Sequence, residues 1–380
     1  MTEATSINPL HPVHRQAEAE FQAYGDIEIV STFGEPQAEY AAIRKSCGLL
    51  DRPQRAVIEL TGADRLPFLN NLLTNQTWDK QTKQPIPSGQ AIYAFLLNAK
   101  TGRIITDLNL LELGERTLLE LEARLAPSVT SALDKYRFGE KVQIAGRLGE
   151  IHEIALHGPG AADIVRQSLD TPPELSVEMT CASARMLNHN VIVWRDDPCG
   201  VPGYHLFVPT SAARSIWMHL VTRFSTAADI GKRLLRPVGW AAYNTTRIEA
   251  ARPLFGIDFD DATLPAETGR LLNRAVSFTK GCYPGQEVVA RMHARQQVAR
   301  QIVGIRMEGT ALPIAGAQIF DGDQNVIGAV TSSTISPILS GAAIALGMVK
   351  RPIFTVGSAL RIPAEGAVHE ARVVELPFLT

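Results

Sequence analysis

The segment "KGCYPGQE", residues 280 to 287, sets one cysteine between two glycines, after a lysine and ahead of a proline-glycine pair and a carboxylate. The longer run "VSFTKGCYPGQEVVARMH" predicts a strand, a tight loop and a helix that starts at Gln286. Gly281 and Gly285 permit positive φ and close approach of a ligand. Pro284-Gly285 is a favoured turn pair, and Glu287 suits the first helical turn. Cys282 then lies just before a helix N-terminus, with Lys280 beside it and Arg291 and His293 one to two turns on. Such surroundings lower a thiol pKa from about 8.5 to about 3.5–7.5. The thiolate could act as a nucleophile, as a metal or cluster ligand, or as a redox sensor. A lone cysteine is more often a small buried hydrophobe, and that reading is kept for Cys47, Cys181 and Cys199. The four cysteines form no CxxC pair, so neither a disulfide framework nor a zinc site of local spacing is expected.

A second candidate is Asp107. In "RIITDLNL" positions 105, 107 and 109 share a strand face, which makes Asp107 and Asn109 polar among Ile and Leu. A carboxylate there could hydrogen-bond a heterocycle N–H or act as a base; the alternative is the wet face of a half-buried sheet. Tyr243, Arg247 and Glu249 fall in "WAAYNTTRIEAA", a predicted helix. Arg247 could meet a carboxylate of a ligand or form an internal ion pair.

Elements must position these residues. The first thirty residues are polar and mixed and read as a loose arm leading into a helix. A helix over Glu35 to Cys47 is expected to stop at Gly48. "AVIEL" (56–60) reads as a strand, and "TGADRLPFLNNLLT" as a helix capped by Thr61. "AIYAFLLN", "RIITDLNLLEL" and "TLLELEA" form a meander. Helices over 125–138, 161–169 and 211–224 alternate with the strands "EIHEIALHG" and "HLFVP". Mixed order without regular βαβ repetition predicts the α+β class. After Arg300, six short segments punctuated by Gly, Pro or Asp-Gly ("QIVGIRM", "AQIFDG", "VIGAVTSST", "AAIALGMVKR", "SALRIP" and "EARVVELPF") predict a small separate β barrel. The expected division is therefore 1–298 and 299–380.

Length and composition bound the class. A chain of 380 residues, 45% apolar and 20% charged, is ordinary for two or three globular domains. Net charge is −2, so the bulk balance points to neither a polyanion nor a membrane surface. The N-terminus has no apolar h-region, and the run 341–349 is too short to span a bilayer. The expectation is a cytoplasmic protein in a reducing compartment, with no membrane partner.

"KGCYPGQE" followed by "VVAR" closely resembles the signature of the YgfZ family of folate-binding proteins. This family is a branch of the glycine-cleavage T-protein superfamily that includes the mitochondrial iron–sulfur assembly relative. The resemblance extends through "GLLDRPQRAVIELTGADRLPFLNNLLTNQ", "LLNAKTGRIITDL", "GYHLFVP", "RIEAARPLFGIDF" and "DGDQNVIGAVTSSTISPILSGAAIALGMV". It implies a T-protein-like arrangement of three domains around an opening for tetrahydrofolate, the first two interleaved in sequence and the third a barrel. It also implies iron–sulfur client proteins or assembly factors as partners. T-proteins carry paired aspartates in "GGIIDDL", where this chain has Thr106 and Asp107. They carry a glutamate in "GYEIFVP", where His205 stands, and an arginine at the place of Tyr243. Their "KGDFIGRE" loop has no cysteine where this chain has Cys282. By that resemblance Cys282 and Asp107 are the chemical residues, while Asp107, Asn109, His205, Tyr243, Arg247, Lys280 and Arg291 hold the folate. The expected function is tetrahydrofolate-linked support of iron–sulfur cluster assembly or repair. The alternatives are a folate-dependent aminomethyltransferase and a non-catalytic folate module whose basic segment at 291–306, with Arg291, His293, Arg295 and Arg300, contacts RNA or a partner, nucleic acid being the less expected partner.

Overall fold

Alternating apolar strands and short amphipathic helices build the α+β class in the computed structural model of the protein, which describes residues 8–225, 233–295 and 298–379. The chain divides into two units. The first comprises residues up to Leu69, Thr77–Tyr93 and Leu108–Tyr243; the second comprises Asn70–Gln76, Ala94–Asp107 and Asn244 onward.

Two sheets organise the N-terminal region. A five-stranded sheet runs in the order Gln143–Gly146, Arg55–Thr61, Arg116–Glu122, Ile104–Glu112, Ala91–Leu97. A six-stranded sheet runs in the order Cys181–Met186, His189–Arg195, Gly203–Pro209, Ile151–His157, Gly48–Asp51, Arg236–Val238. Its last pair is parallel and the others are antiparallel. One face of this sheet buries Ile154, Leu156, Val193, Leu206 and Val208 against Ile216, Trp217 and Leu220 of the helix Thr210–Phe224. Those strand positions alternate, as a half-buried pleat requires.

The second unit holds a closed six-stranded barrel, in the order Arg300–Met307, Ala342–Lys350, Val326–Ser336, Gln318–Phe320, Ala359–Ala364, Ala367–Val374. All six segments predicted as barrel strands are these strands. Its interior is filled by residues such as Ile305, Ile319, Val330, Ala345 and Leu360.

Several local expectations need correction. The first described residues are no loose arm: the helix His11–Gln16 is followed by the hairpin Glu20–Tyr24 and Ile27–Thr32. Gly48 does not end a helix. It opens a strand and is crowded by Ile43 and Val238, where a Cβ would not fit. Thr61 ends a strand, and the next helix starts at Arg65. Val276–Thr279 is no strand; it is tied by a hydrogen bond from the Ser277 amide to the Thr74 carbonyl (3.0 Å).

Candidate functional site

Cross-strand register assembles a buried polar cluster in the six-stranded sheet. His205 lies opposite both Trp194 and Ala155, so its imidazole stacks on the Trp194 indole, 4.5 Å between centroids and 28° between planes. Glu153 and His157 have the same parity on the strand Ile151–His157 and so share a face. Arg52 enters directly after the strand Gly48–Asp51, its amide bound to the Glu153 carbonyl. The Arg52 guanidinium donates to Glu153 Oε1 at 2.7 Å, and His205 Nδ1 is 2.7 Å from the same oxygen. Arg52 Nη1 also lies 2.9 Å from His205 Nδ1. A carboxylate only accepts and a guanidinium only donates, so in the neutral ring Nδ1 either donates to Glu153, leaving Nε2 an acceptor, or accepts from Arg52, leaving Nε2 a donor.

This cluster is incompletely satisfied. His205 Nε2, Glu153 Oε2, Arg52 Nε, Trp194 Nε1 and both nitrogens of His157 are buried without a hydrogen-bond partner among the described residues. Each such atom costs about 1–3 kcal/mol, and native proteins keep few without reason. Burial first, then the neighbouring His205 and Arg52, holds the His157 pKa well below the usual histidine range. Its ring lies 5.3 Å from that of His205 and 5.7 Å from that of Tyr243. Tyr243 is buried and also meets Trp240.

Asn109 belongs to a neighbouring group. Its amide donates to Glu120 at 2.8 Å, and Glu120 also pairs with Arg55. Burial alone would raise the Glu120 pKa, but Arg55 outweighs it and holds the carboxyl at about 2. On the strand Ile104–Glu112 the expected alternation is present. Ile104, Thr106, Leu108 and Leu110 are fully enclosed, whereas Ile105 is half-buried and Asp107 and Asn109 keep 7% and 8% exposure.

The remaining predicted residues lie in the second unit. Arg247 is fully buried and spent on internal partners: Asp258 by ion pair, Ser332 at 2.7 Å and Asn244 at 2.9 Å. Of the two readings for Arg247, the geometry therefore holds the internal ion pair. Lys280 likewise has internal partners. Its ammonium donates to the carbonyls of Asn70, Leu73 and Asn75, and an ammonium has three donors. It ties the loop to residues 70–75 and lies over the Tyr283 ring.

Cys282 is exposed and the other three cysteines are buried. Gln286–Arg295 is a helix, as expected, with Arg291 exposed on it. His293 stacks on Phe278 with centroids 3.9 Å apart. Gly285 has φ +79°, and a Cβ there would stand 3.0 Å from the Asn98 carbonyl oxygen; Gly281 has no positive φ. Arg300 pairs with Glu267, and the Arg295 side chain lies outside the described residues. Among the described residues no group of three or more His, Cys, Asp or Glu is placed to hold a metal ion.

Sequence reasoning missed Arg52, Glu153, His157, Trp194 and Glu120. A signal was present: Glu153 and His157 interrupt one otherwise apolar face of the strand Ile151–His157. Their convergence with Arg52 and His205 depends on strand order, which no local pattern carries.

Comparison with known proteins adds lineage to this geometry. A family model described as the GCVT N-terminal domain matches residues 10–280, and one described as the glycine cleavage T-protein C-terminal barrel domain matches 300–379. The chain is 27% identical over 374 residues to an aminomethyltransferase of Chloroherpeton thalassium, covering 98% of both. It is 29% identical over 377 residues to one of Chlorobium chlorochromatii, covering 98% of this chain and 97% of that protein. The crystal structure of glycine cleavage system aminomethyltransferase T from Bartonella henselae superposes with a TM-score of 0.85 at 26% identity, over 98% of this chain and 97% of that one.

Proposed function

Because the chain belongs to the glycine cleavage T-protein family, we propose that it is a tetrahydrofolate-dependent one-carbon transferase of the aminomethyltransferase type. The observation that carries this reading is the set of unsatisfied buried polar atoms around His205, in a chain that follows named aminomethyltransferases along its whole length. A reduced pterin has a flat pyrimidine ring with N–H donors and with carbonyl and ring-nitrogen acceptors. Glu153 Oε2 is an acceptor for such a group, Arg52 Nε and Trp194 Nε1 are donors, and His205 Nε2 serves as either according to its tautomer, so the residues present fit it.

When bound, tetrahydrofolate supplies the amine nitrogen that takes the one-carbon unit. In this reading the chain's own residues recognise and orient. Glu153 and Arg52 hold the His205 ring in place through Nδ1, and Asn109 is held by Glu120. Asp107 is the carboxylate that accepts or returns a proton. Arg247 and Lys280 act structurally, and the cytoplasm is the compartment.

A second reading is favoured by one observation, the exposure of Cys282: a folate-binding factor of the YgfZ kind, which supports iron–sulfur proteins through this thiol. The experiment that decides is calorimetric titration with tetrahydrofolate, followed by a turnover assay with a lipoyl-bound aminomethyl donor. Heat of binding with turnover is expected. Binding without turnover would shift the assignment to the thiol factor, and no heat at high micromolar folate would overturn both readings.

A further inference from the structure

The strand Ile151–His157 serves two places, because its faces alternate. Glu153 and His157 turn to the His205 cluster, while His152 lies on the other face with Ile154 and Leu156. There Asp51 is bound by His152 Nε2 at 2.7 Å, His14 Nε2 at 2.8 Å and the Asn8 amide at 2.8 Å. Burial opposes the Asp51 charge, yet the two imidazoles hold its carboxyl far below the usual carboxylate range. An ionised Asp51 only accepts, so both histidines place their Nε2 proton on it. In the neutral ring His152 Nδ1 then presents a lone pair, and among the described residues it makes no hydrogen bond.

His152 also lines a half-open cavity of ≈ 390 Å³, within the size range of small-molecule sites. Arg124 lines it too, and is held in place from three sides. Its Nε donates to Glu122 at 2.8 Å, its guanidinium stands 5.4 Å from the Tyr24 ring centroid, and it packs on Gly25, where a Cβ would come within 2.2 Å of Nη1. Among the described residues neither terminal nitrogen of Arg124 has a hydrogen-bond partner. Asp26 and Arg55 complete the charged lining, and Ile27, Pro53, Pro127, Leu148 and Ile151 form an apolar wall.

We propose that this cavity is a binding site for a free α-amino acid with a large apolar side chain. The carboxylate lies on the immobilised Arg124 fork, the ammonium donates to Asp26 and His152 Nδ1, and the side chain covers the apolar wall. The fit is to a zwitterion: the lining offers two unspent guanidinium nitrogens, a carboxylate and an unspent acceptor together. Neither a simple anion nor a simple cation uses all three. Every lining residue belongs to the first unit, and the site stands independently of the folate reading.

The test is calorimetric titration of the full chain with L-phenylalanine, 3-phenylpropanoate (no ammonium) and 2-phenylethylamine (no carboxylate). Phenylalanine should saturate, and each analogue should bind about tenfold more weakly or worse. Arg124→Gln should lose phenylalanine affinity by a similar factor. Leu148→Trp at the exposed rim fills the mouth without touching the core and should abolish binding, which keeps the test meaningful should Arg124→Gln fold poorly. Saturating tetrahydrofolate should leave phenylalanine binding unchanged. No saturation by 10 mM phenylalanine would overturn the proposal, on the order of the weakest affinities calorimetry resolves. Equal affinity for all three probes, indifference to Leu148→Trp, or displacement by tetrahydrofolate would overturn it as well.

Discussion

Four thiols in one chain meet opposite environments. Burial pushes the Cys47 thiol well up and that of Cys181 to about 12, and Cys199 is fully enclosed. Cys282 alone is exposed among them. Thiolate fraction and access together set alkylation rate. Iodoacetamide read by peptide mass spectrometry should therefore label Cys282 first, and labelling at Cys47 ahead of it would refute the assignment. Cys282→Ser should change stability by no more than about 0.5 kcal/mol, as for an exposed site. Asp107 is the other residue whose role can be measured singly. If it binds the pterin, Asp107→Ala should weaken tetrahydrofolate by about 1.5–3 kcal/mol, the worth of a charged hydrogen bond; unchanged affinity in calorimetry would confine Asp107 to a structural role.

At the scale of elements, the loop before the helix Gln286–Arg295 is held by its lysine. Lys280 satisfies the carbonyls of Asn70, Leu73 and Asn75, and the loop ends at Gly285, which faces the Asn98 carbonyl. Lys280→Met removes all three donors while keeping much of the apolar stem. It should cost about 1.5–3 kcal/mol, and amide exchange over residues 70–76 should accelerate selectively. A uniform change across the chain would mean that Lys280 does not act through this tie. The predicted strand before Cys282 failed for a related reason. "VSF" has strand composition, but no neighbouring strand edge pairs with it, and a β propensity without a partner forms no ladder.

For the molecule as a whole, two buried groups make acid destabilising. His157 stays neutral when folded, because burial lowers its pKa well below 6.5, whereas the unfolded chain takes up a proton there. The unfolded state binds more protons below pH 6.5, so stability falls with pH by about 1.4 kcal/mol per unit from this group. The Glu120 pKa is depressed from 4.5 to about 2, so its contribution is complete above 4.5 and is lost as pH falls from there toward 2. Denaturant titrations between pH 8 and 4 should show the first loss in the native protein, and His157→Leu should flatten it without changing the loss below pH 4.5. Equal pH slopes for the two proteins above pH 5 would contradict the buried neutral imidazole. The sequence by itself determined the α+β class, the six barrel strands and the alternation that leaves Asp107 and Asn109 on the less buried face, because period and turn residues are local. It also marked the Cys282 loop and the glycine cleavage T-protein superfamily. Tertiary structure decided what each charge is spent on: Arg247 on Asp258, Lys280 on three carbonyls, and His205 on Glu153. It alone brought His14, Asp51 and His152 together across 138 positions of chain, from 14 to 152. The reason is physical: a side chain's partners are fixed by strand order and register, and those are settled by which apolar faces bury one another rather than by neighbours in sequence.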